Sequence, residues 1–350
     1  MEKRKVLICP LNWGLGHASR CVPIALELHQ QGHEVIMASS GDAFHFLKNE
    51  LPQFPLEQIP DYNIKYWSFL PIWLSIGLQF PKLFLKFRKE NHSVDQLVEK
   101  YNIDLIISDN RLGVYKKGIP SIYISHQIQL LSPFGSFQNL GTIAHQYFMK
   151  SFDEIWIPDL EDKNTSLAGE LSHPKKKWNN VRYIGWLSRL NKSEHGFKEE
   201  SIVVILSGVE PHRSLLEKII INQAERLRNH RFVIIGGKPQ LETKPQKLPD
   251  NINYIAFANS KKLSEEIEKA QLVICRSGYS SLMDLMQFNK RLLVIPSPGQ
   301  TEQEYLASIL PVFSTPQSAL NLEQQIPLAL NKDPFNLIKD EELNLNLIQL

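Results

Sequence analysis

Residues 270–307 read AQLVICRSGYSSLMDLMQFNKRLLVIPSPGQTEQEYLA, and this stretch decides the fold. Two apolar runs within it, 272–275 and 292–295, are too short for helices and predict strands. Three apolar residues between the runs lie at helical spacing: Leu282, Leu285 and Met286. The resulting order of strand, turn, helix and strand predicts a βαβ unit and therefore a parallel sheet.

The carboxyl ends of these two strands carry polar residues, and ligands of parallel sheets bind beyond that edge. The turn Ser277-Gly278 lets a ligand approach the backbone, and the start of the following helix suits a phosphate. Asp284, just under two turns later, lies on roughly the same helical face as Gly278, and its carboxylate can accept hydrogen bonds from both vicinal hydroxyls of a ribose. Three residues of the next loop can orient a sugar: Gln300, Glu302 and Gln303. The combination predicts a site for a phosphorylated, ribose-containing ligand; the alternative is an ordinary βαβ unit with a polar loop.

The segment resembles the donor-binding half of GT-B glycosyltransferases of the family 28 type, a group that includes the bacterial enzyme forming lipid II and plant monogalactosyldiacylglycerol synthase. In that group a Ser-Gly turn, an acidic residue six positions later and a Gln-rich loop hold a UDP-sugar. Residues 275–278 and 303–307 follow this pattern, and Asp284 stands where a Glu is more usual. The resemblance implies an α/β protein with the GT-B fold, in which two Rossmann-like domains with parallel sheets face each other across a cleft.

Length and composition are those of an ordinary globular protein. A chain of 350 residues predicts about two domains, and 43% hydrophobic residues are enough to build their cores. A net charge of +2 gives no indication of nucleic-acid binding. The three cysteines show no paired spacing, and the apolar run after the basic start is too short for a signal peptide. These features predict a cytoplasmic protein with reduced cysteines.

The amino-terminal residues repeat the same alternation of elements. Residues 5–9 predict a strand, 19–31 a helix with Pro23 near its first turn, and 34–39 a second strand. A glycine-containing turn between strand and helix is typical of dinucleotide-binding domains. Here, however, Ser19 takes the place of the third glycine of that motif, and the second strand ends in Ala38-Ser39-Ser40, with no acidic residue to bind a ribose diol. A nicotinamide cofactor is therefore not expected.

The glycine turn supplies the first candidate for catalysis. In the resembled enzymes this turn ends in a histidine and faces the reacting sugar and the acceptor, which implies an acceptor-side loop containing Asn12, Gly14 and Gly16. His17 is then a candidate general base, because an imidazole titrates near neutral pH. The alternative is that His17 only hydrogen-bonds the turn.

Two further candidates follow predicted strands of the first domain. Asp109 comes directly after strand 103–108 and is the alternative general base, unless it only forms an Asx turn. His126 follows strand 120–125 and matches a histidine of the lipid II-forming family. The resemblance therefore implies that His126 lies near the acceptor.

Residues 66–89 combine many aromatic and aliphatic side chains with a basic cluster. The uncharged part, 66–81, is shorter than the ~20 residues of a membrane-spanning helix, and Pro71 interrupts it. Apolar residues next to lysines indicate an element lying in a membrane interface, and the alternative is a buried helix in the core. Many relatives in the resembled family glycosylate lipids, which favours membrane contact.

The resemblance also implies residues around the donor diphosphate. In the related enzymes the first domain ends in a glycine, followed four residues later by an arginine near the diphosphate, and Arg189 fits that position. The loop after predicted strand 201–206 adds further candidates: Ser207, Gly208 and Arg213. For Arg213 the alternative is a plain surface residue.

The predicted domains follow from these assignments. Residues 1–190 form an acceptor-binding domain and residues 191–332 a donor-binding domain, in which relatives place backbone groups at Phe257 and Ala258 against the uracil. Residues 333–350 predict a terminal helix that packs back towards the first domain.

The predicted function is transfer of a hexosyl or N-acetylhexosaminyl group from a UDP-sugar to an acceptor hydroxyl on a lipid or glycan. The resemblance implies inversion at the anomeric carbon, and the missing Asp-x-Asp motif predicts that no metal ion is needed. No cofactor is expected. The expected location is the cytoplasm, with peripheral contact at the inner face of the cell membrane and no nucleic-acid partner. The alternatives are a UDP-sugar 2-epimerase of the same fold and a non-catalytic nucleotide-sugar or lipid-binding protein.

Overall fold

The computed structural model describes these parts of the chain: residues 3–63, 72–129, 142–143, 145–173, 178, 180–193, 200–240 and 248–337. The described residues form two compact units. The first unit contains the described residues up to Asn12 and from His17 to Leu187. The second unit contains Trp13–Gly16 and the described residues from Ser188 onward.

The first unit is an α/β layer structure. Its strands are β1 (Lys5–Pro10), β2 (Glu34–Ser39), β3 (Leu56–Gln58), β4 (Leu105–Asp109), β5 (Ser121–Ile124), β6 (Glu154–Ile157) and β7 (Val181–Tyr183). Its helices are α1 (Gly16–Gln30), α2 (Gly41–Glu50) and α3 (Ile72–Tyr101), with a 3₁₀ turn at Gly169–Leu171. The strands form one parallel sheet in the order β3-β2-β1-β4-β5-β6-β7. Apolar residues of β1, β2 and β4 pack against α3 in one buried cluster.

The register of this sheet brings three chain segments together at its carboxyl edge. Pro10, the last residue of β1, pairs with Asp109, the last residue of β4. Asp109 in turn pairs with Ile124, the last residue of β5. The turn after β1, the end of β4 and the residues just after β5 therefore occupy neighbouring positions along one edge.

The second unit repeats the α/β pattern. Its strands are β8 (Ser201–Ile205), β9 (Arg231–Ile235), β10 (Ile252–Ile255), β11 (Ala270–Cys275), β12 (Leu292–Val294) and β13 (Phe313–Ser314). Its helices are α4 (His212–Ala224), α5 (Ser260–Glu268), α6 (Tyr279–Leu285), α7 (Thr301–Ile309) and α8 (Leu322–Leu330), with 3₁₀ turns at Met286–Phe288 and Gln317–Ala319. The strands form a parallel sheet in the order β10-β9-β8-β11-β12-β13.

The central strand of this second sheet positions the turn after residue 275. Cys275, at the end of β11, pairs with Ile205 on one side and Val294 on the other. The turn that follows is consequently flanked by the loops after β8 and β12. Apolar residues of β8, β9 and β11 pack against α4 and α8, which fixes this edge on a buried core.

The predicted Rossmann-like alternation of parallel strands and helices is confirmed in both units. The βαβ unit of residues 270–307 is β11, α6 and β12, but α6 is a helix of only seven residues that passes into the 3₁₀ turn after it. That turn ends at Asn289, whose φ of 51° is in the left-handed region. The early stop explains why the helix is shorter than the apolar spacing indicates.

Helix α1 differs from the prediction at its start. It begins at Gly16 and not at Ser19, so Pro23 lies well inside the helix and not near its first turn. The earlier start has a consequence for the chemistry, because His17 belongs to the first turn of the helix.

Two predicted segments are only partly covered. Of residues 66–89, the helix α3 accounts for the part from Ile72, and residues 66–71 lie outside the described residues. The predicted terminal helix lies outside them from residue 338. In the described part of the chain, no helix is both long enough and apolar enough to cross a membrane.

Candidate active site

A fully buried carboxylate, that of Asp109, is the centre of the candidate site in the first unit. Its Oδ1 atom lies 2.7 Å from His17 Nδ1, and its Oδ2 atom accepts a hydrogen bond from Arg20 Nε at 2.5 Å. Arg20 Nη2 also donates to Oδ1. Because His17 and Arg20 lie three residues apart on α1, they share the helical face that meets the end of β4.

The remaining guanidinium nitrogen of Arg20 connects this cluster to His126. Arg20 Nη1 lies 2.9 Å from His126 Nδ1, and only 1% of the Arg20 side chain is exposed. Arg20 therefore joins His17, Asp109 and His126, the three catalytic candidates of the sequence, although it was not predicted as a site residue. The signal that could have identified it is an arginine on the apolar face of an amphipathic helix.

The donors and acceptors of the cluster determine where each imidazole carries its proton. Arginine can only donate, so His126 Nδ1 accepts, and a neutral His126 carries its proton on Nε2. An ionised Asp109 can only accept, so His17 Nδ1 carries a proton, although Arg20 Nη2 also lies 2.9 Å from it. The lone pair of a neutral His17 is therefore on Nε2.

Burial sets the charge of each group. It lowers the pKa of His17, and Asp109 offsets this only in part, so the net pKa lies below the ordinary value of 6.5. Burial would raise the pKa of Asp109, but Arg20 and His17 together lower it to about 2. At neutral pH His17 is thus a neutral base beside an ionised carboxylate. With 14% of its side chain exposed against 0% for Asp109, His17 is the accessible member of the pair.

This arrangement is suited to proton transfer. A neutral imidazole can take a proton on Nε2, and the adjacent carboxylate stabilises the imidazolium that forms. Asp109, predicted as the alternative base, is buried, ionised and held by Arg20 and His17, so the geometry favours His17 as the base and Asp109 as its partner. Across the described ranges, no three His, Cys, Asp or Glu side chains are grouped closely enough to hold a metal ion.

The residues of the predicted acceptor-side loop mainly hold neighbouring backbone segments in place. Asn12 Oδ1 accepts from the backbone near the start of α2 at 3.2 Å, and Asn12 Nδ2 donates to Asp61 Oδ2 at 2.7 Å. Gly14 has a φ of +69°, which disfavours any residue with a Cβ. Gly16 is the first residue of α1 but belongs, like Ser280, to the second unit, and a Cβ there would lie 2.9 Å from Ser280 Oγ.

A second buried ion pair fastens α3 to the turn after β4. Arg111 Nε donates to Glu90 Oε1, and both side chains are fully buried. Glu90 Oε2 accepts from Tyr62 Oη at 2.5 Å and from Gly113 N at 3.1 Å. Because both carboxylate oxygens have partners, the cost of burying the charge is largely compensated. This pair was not predicted, since Glu90 and Arg111 belong to different elements with no local pattern in common.

In the second unit, the turn after β11 is fixed by hydrogen bonds to the next loop. Ser277 is fully buried, and its Oγ atom donates to the carbonyl oxygen of Gln303 at 2.8 Å. The side chain of Gln303 accepts from Ser297 N at 2.8 Å. Two residues predicted to bind a donor, Ser277 and Gln303, therefore hold the two loops together.

The neighbouring predicted residues lie at the start of α6 and α7. Gly278 has a φ of −74°, which any residue can adopt, and a Cβ there would meet, among the described residues, only Gln303 Nε2 at 3.8 Å. The approach of a ligand to the Gly278 backbone stays a prediction. Glu302 Oε1 accepts from Tyr279 N at 3.4 Å, and Gln300 directly precedes α7.

A buried arginine directly precedes this turn and has no carboxylate partner in the described part of the chain. Arg276 Nη1 donates to the carbonyl oxygens of Ile295 and Pro296, at 3.0 and 3.1 Å. Its Nη2 atom donates to His212 O at 3.0 Å and to Gln317 Oε1 at 2.7 Å. Burial lowers the pKa of Arg276 to about 10, so the guanidinium remains charged at neutral pH. Arg276, which was not predicted as a site residue, ties three loops of this edge together.

The predicted ribose ligand, Asp284, has a polar partner. Its side chain is 9% exposed, and Oδ1 accepts from Ser188 Oγ at 2.7 Å. The carboxylate therefore does not point into an apolar interior. Arg189, the residue after Ser188, donates from Nη1 to Ser260 Oγ at 2.8 Å at the start of α5.

Arg213 is not the plain surface residue that the sequence left open. It is only 8% exposed, pairs with Glu210 at 2.9 Å and donates to Gly237 O at 2.6 Å. Gly208, in the loop after β8, has a φ of +96°, which favours glycine. The other predicted donor residues also lie at this carboxyl edge: Ser207 after β8, and Phe257 and Ala258 after β10.

Comparison with known proteins gives sequence similarity over both units. Residues 202–325 match the model of the glycosyltransferase family 28 C-terminal domain. An uncharacterized glycosyltransferase of Methanosarcina mazei is 24% identical over 331 residues, covering 87% of this chain and 84% of that protein. The UDP-N-acetylglucosamine--N-acetylmuramyl-(pentapeptide) pyrophosphoryl-undecaprenol N-acetylglucosamine transferase of Amoebophilus asiaticus is 20% identical, covering 95% of this chain and 91% of that protein.

Solved structures give similarity in fold. The calicheamicin glycosyltransferase CalG4 superposes with a TM-score of 0.65 at 11% identity, covering 95% of this chain and 91% of that chain. MurG of Acinetobacter baumannii superposes with a TM-score of 0.53 at 15% identity, covering 94% of this chain and 91% of that chain. At these identities the similarity establishes a shared architecture of two Rossmann-like sheets and leaves the site to be argued from its own residues.

The coupling of His17 to Asp109 can be measured by NMR titration of the imidazole. We expect the pKa of His17 to lie below 6.5 in the unmodified protein, because burial dominates. In Asp109→Asn the pKa should fall further, because the charge that raises it is removed while burial remains. The control Asp162→Asn, in an exposed loop, should leave the titration unchanged. An unchanged or higher pKa in Asp109→Asn would contradict the assigned pairing.

Proposed function

We propose, from the premise that this chain is a GT-B glycosyltransferase of the family 28 type, that it moves a hexosyl or N-acetylhexosaminyl group from a UDP-sugar to an acceptor hydroxyl. The observation that carries the proposal is the joined cluster of His17, Asp109 and Arg20 at the edge of the first sheet. A cluster of this kind provides what the reaction needs on the acceptor side, a neutral base held in one orientation.

In the proposed reaction, the acceptor oxygen attacks the anomeric carbon of the donor sugar while His17 Nε2 takes the hydroxyl proton. The bond between that carbon and the diphosphate oxygen breaks, and UDP leaves with the electron pair. Attack from the face opposite the leaving group inverts the anomeric configuration. Ionised Asp109 stabilises the imidazolium, and His126, with its proton on Nε2, is suited to orienting the acceptor.

On the donor side, we assign the leaving diphosphate to the backbone of Ser277-Gly278, with positive charge supplied by Arg189 and by the buried Arg276. Asp284 would take the ribose hydroxyls. The sugar itself is assigned to the loop residues before and within α7: Gln300, Glu302 and Gln303. The uracil is assigned to Phe257 and Ala258. That no metal ion is used remains a proposal, which rests on the missing Asp-x-Asp motif.

For the acceptor we propose a lipid-linked molecule reached at a membrane surface. Along α3, three apolar side chains are exposed: Leu78 at 62%, Phe84 at 40% and Leu85 at 61%. Three basic residues of the same helix are exposed beside them: Lys82, Arg88 and Lys89. Apolar side chains enter the lipid interface and cations attract anionic head groups, so this surface of α3 suits peripheral contact.

The donor assignment can be tested by thermal unfolding with a panel of nucleotides. At a hundred times its Kd, UDP should stabilise the folded protein by about 2.7 kcal/mol, which corresponds to a rise of roughly 5–10 °C in Tm. Asp284→Ala should lose most of this rise, while the control Asp250→Ala, at an exposed acid of the same unit, should keep it. Stabilisation by ADP, GDP or NAD equal to that by UDP would exclude a uridine-specific donor site.

The catalytic role of His17 can be tested by UDP release from UDP-hexoses and UDP-N-acetylhexosamines. The acceptors would be diacylglycerol and polyprenyl-diphosphate-linked sugars. We expect His17→Ala to lower kcat by about 10²- to 10⁴-fold, because it removes the proton acceptor, and to leave the thermal shift by UDP unchanged. The control His92→Ala, at an exposed position of α3, should retain full activity. Epimerisation of UDP-N-acetylglucosamine without any acceptor would instead identify a 2-epimerase.

Membrane contact can be tested by sedimentation with vesicles. We expect binding to vesicles containing anionic lipids and a loss of about tenfold in affinity for Leu78→Glu or Leu85→Glu, since each removes one apolar side chain from the interface. The control Leu328→Glu changes an equally prominent leucine in the second unit, 53% exposed, and should bind as the unmodified protein does. A protein that stays in the supernatant at all lipid compositions would exclude this acceptor surface.

A further inference from the structure

We propose that Ser188 is a positioning residue that orients the carboxylate of Asp284 towards the ribose of the donor. This inference rests on the proposed function, since it concerns the same nucleotide. Asp284 and Ser188 are 96 positions apart in the chain, yet Ser188 Oγ lies 2.7 Å from Asp284 Oδ1. Both residues belong to the second unit, so the contact is internal to the unit that matches the donor-domain model.

The direction of this hydrogen bond follows from the other partners of Ser188. Its Oγ atom lies 3.0 Å from Gln287 Nε2 and 3.2 Å from Leu190 N, and both of these atoms can only donate. The hydroxyl oxygen therefore accepts twice, and its single proton is directed to Asp284. A serine hydroxyl that usually rotates among partners is fixed here in one orientation.

The same helical segment holds the serine in place. Gln287 follows Asp284 by three residues, so both side chains project from one side of the segment formed by α6 and the 3₁₀ turn. Gln287 Nε2 also donates to Leu190 O at 2.7 Å. Gln287 therefore holds residues 188–190 at two points, the hydroxyl of Ser188 and the carbonyl oxygen of Leu190.

A fixed hydroxyl suits an aspartate in this role. Asp has a shorter side chain than the Glu expected from the family pattern, so the direction of its carboxylate decides whether the oxygens reach a diol. A neutral donor at Oδ1 orients the group without cancelling its charge, as an arginine or lysine would. Each carboxylate oxygen carries two lone pairs, so Asp284 can accept further hydrogen bonds from ribose hydroxyls. Orienting the group before binding removes part of the entropy cost of forming those bonds.

The test compares the affinities of UDP and 2′-deoxy-UDP by calorimetry. For the unmodified protein we expect UDP to bind about 10- to 100-fold more tightly, because only UDP offers the 2′-hydroxyl to a charged acceptor. In Ser188→Ala we expect the affinity for UDP to fall about tenfold while that for 2′-deoxy-UDP changes by less than about threefold. In Ser188→Ala the ratio of the affinity for UDP to that for 2′-deoxy-UDP should therefore approach the ratio measured for Asp284→Ala. Ser188→Thr keeps the hydroxyl and should restore the ratio, and the exposed control Ser314→Ala should not change it.

The outcomes separate this inference from the donor assignment. If Ser188→Ala weakens both nucleotides equally, or neither, Ser188 has a structural role or none, and the inference is overturned while the UDP site stands. If the unmodified protein binds both nucleotides equally, Asp284 does not read the 2′-hydroxyl, and the inference is overturned as well. A protein that binds no uridine nucleotide removes the donor assignment and this inference with it. Thermal unfolding without nucleotide confirms that each variant is folded before its affinities are compared.

Discussion

The ionised carboxylate of Asp109, buried at the end of β4, is the constraint on which the first unit depends. An isolated charge in this position would cost several kcal/mol, and removing one partner of such a buried pair typically destabilises a protein by about 3–5 kcal/mol. Arg20 compensates the charge with two nitrogens and uses the third for His126. One ion pair therefore joins α1 to the ends of β4 and β5, and the orientation of His17 results from it. The carboxylate that joins the elements at this edge thus also orients His17.

The second unit stabilises a buried charge in the opposite way. Arg276 donates four hydrogen bonds, three to backbone carbonyl oxygens and one to the side-chain amide oxygen of Gln317. It has no carboxylate partner in the described part of the chain. Dipoles of this kind hold the guanidinium without neutralising it. In the first unit the buried charge is thus paired with an opposite charge, whereas in the second the charge of Arg276 is held by neutral oxygens alone. Under the proposed function, an anionic diphosphate is a group that such a guanidinium stabilises.

The sequence predicts the elements well and the pairings between them poorly. Short apolar runs bounded by polar turns correspond to β1, β4, β5 and β11, and parallel register explains why Asp109 and His126 could be expected near His17. Arg20 and Glu90 were missed because a charge on a helix has no local mark of the partner it will meet. Ser188 was missed for the same reason, since its contact with Asp284 joins residues 96 positions apart in the chain. The start of α1 was misplaced because the first turn, from Gly16, lacks the apolar spacing on which helix prediction relies.

The two units differ in what supports their proposed roles. The family model matches only residues 202–325, inside the second unit, and the similarity of the first unit rests on full-length relatives of 24% identity or less. In the first unit the proposed role also depends on α3. Glu90 on this helix pairs with Arg111, two residues after Asp109, and the exposed leucines Leu78 and Leu85 lie earlier on the same helix. Because an α-helix is stiff, the buried ion pair fixes the exposed apolar surface relative to the edge that carries His17. Under the proposed function, a lipid acceptor bound at that surface would meet His17 at a defined depth, and α3 would determine which acceptors the protein selects.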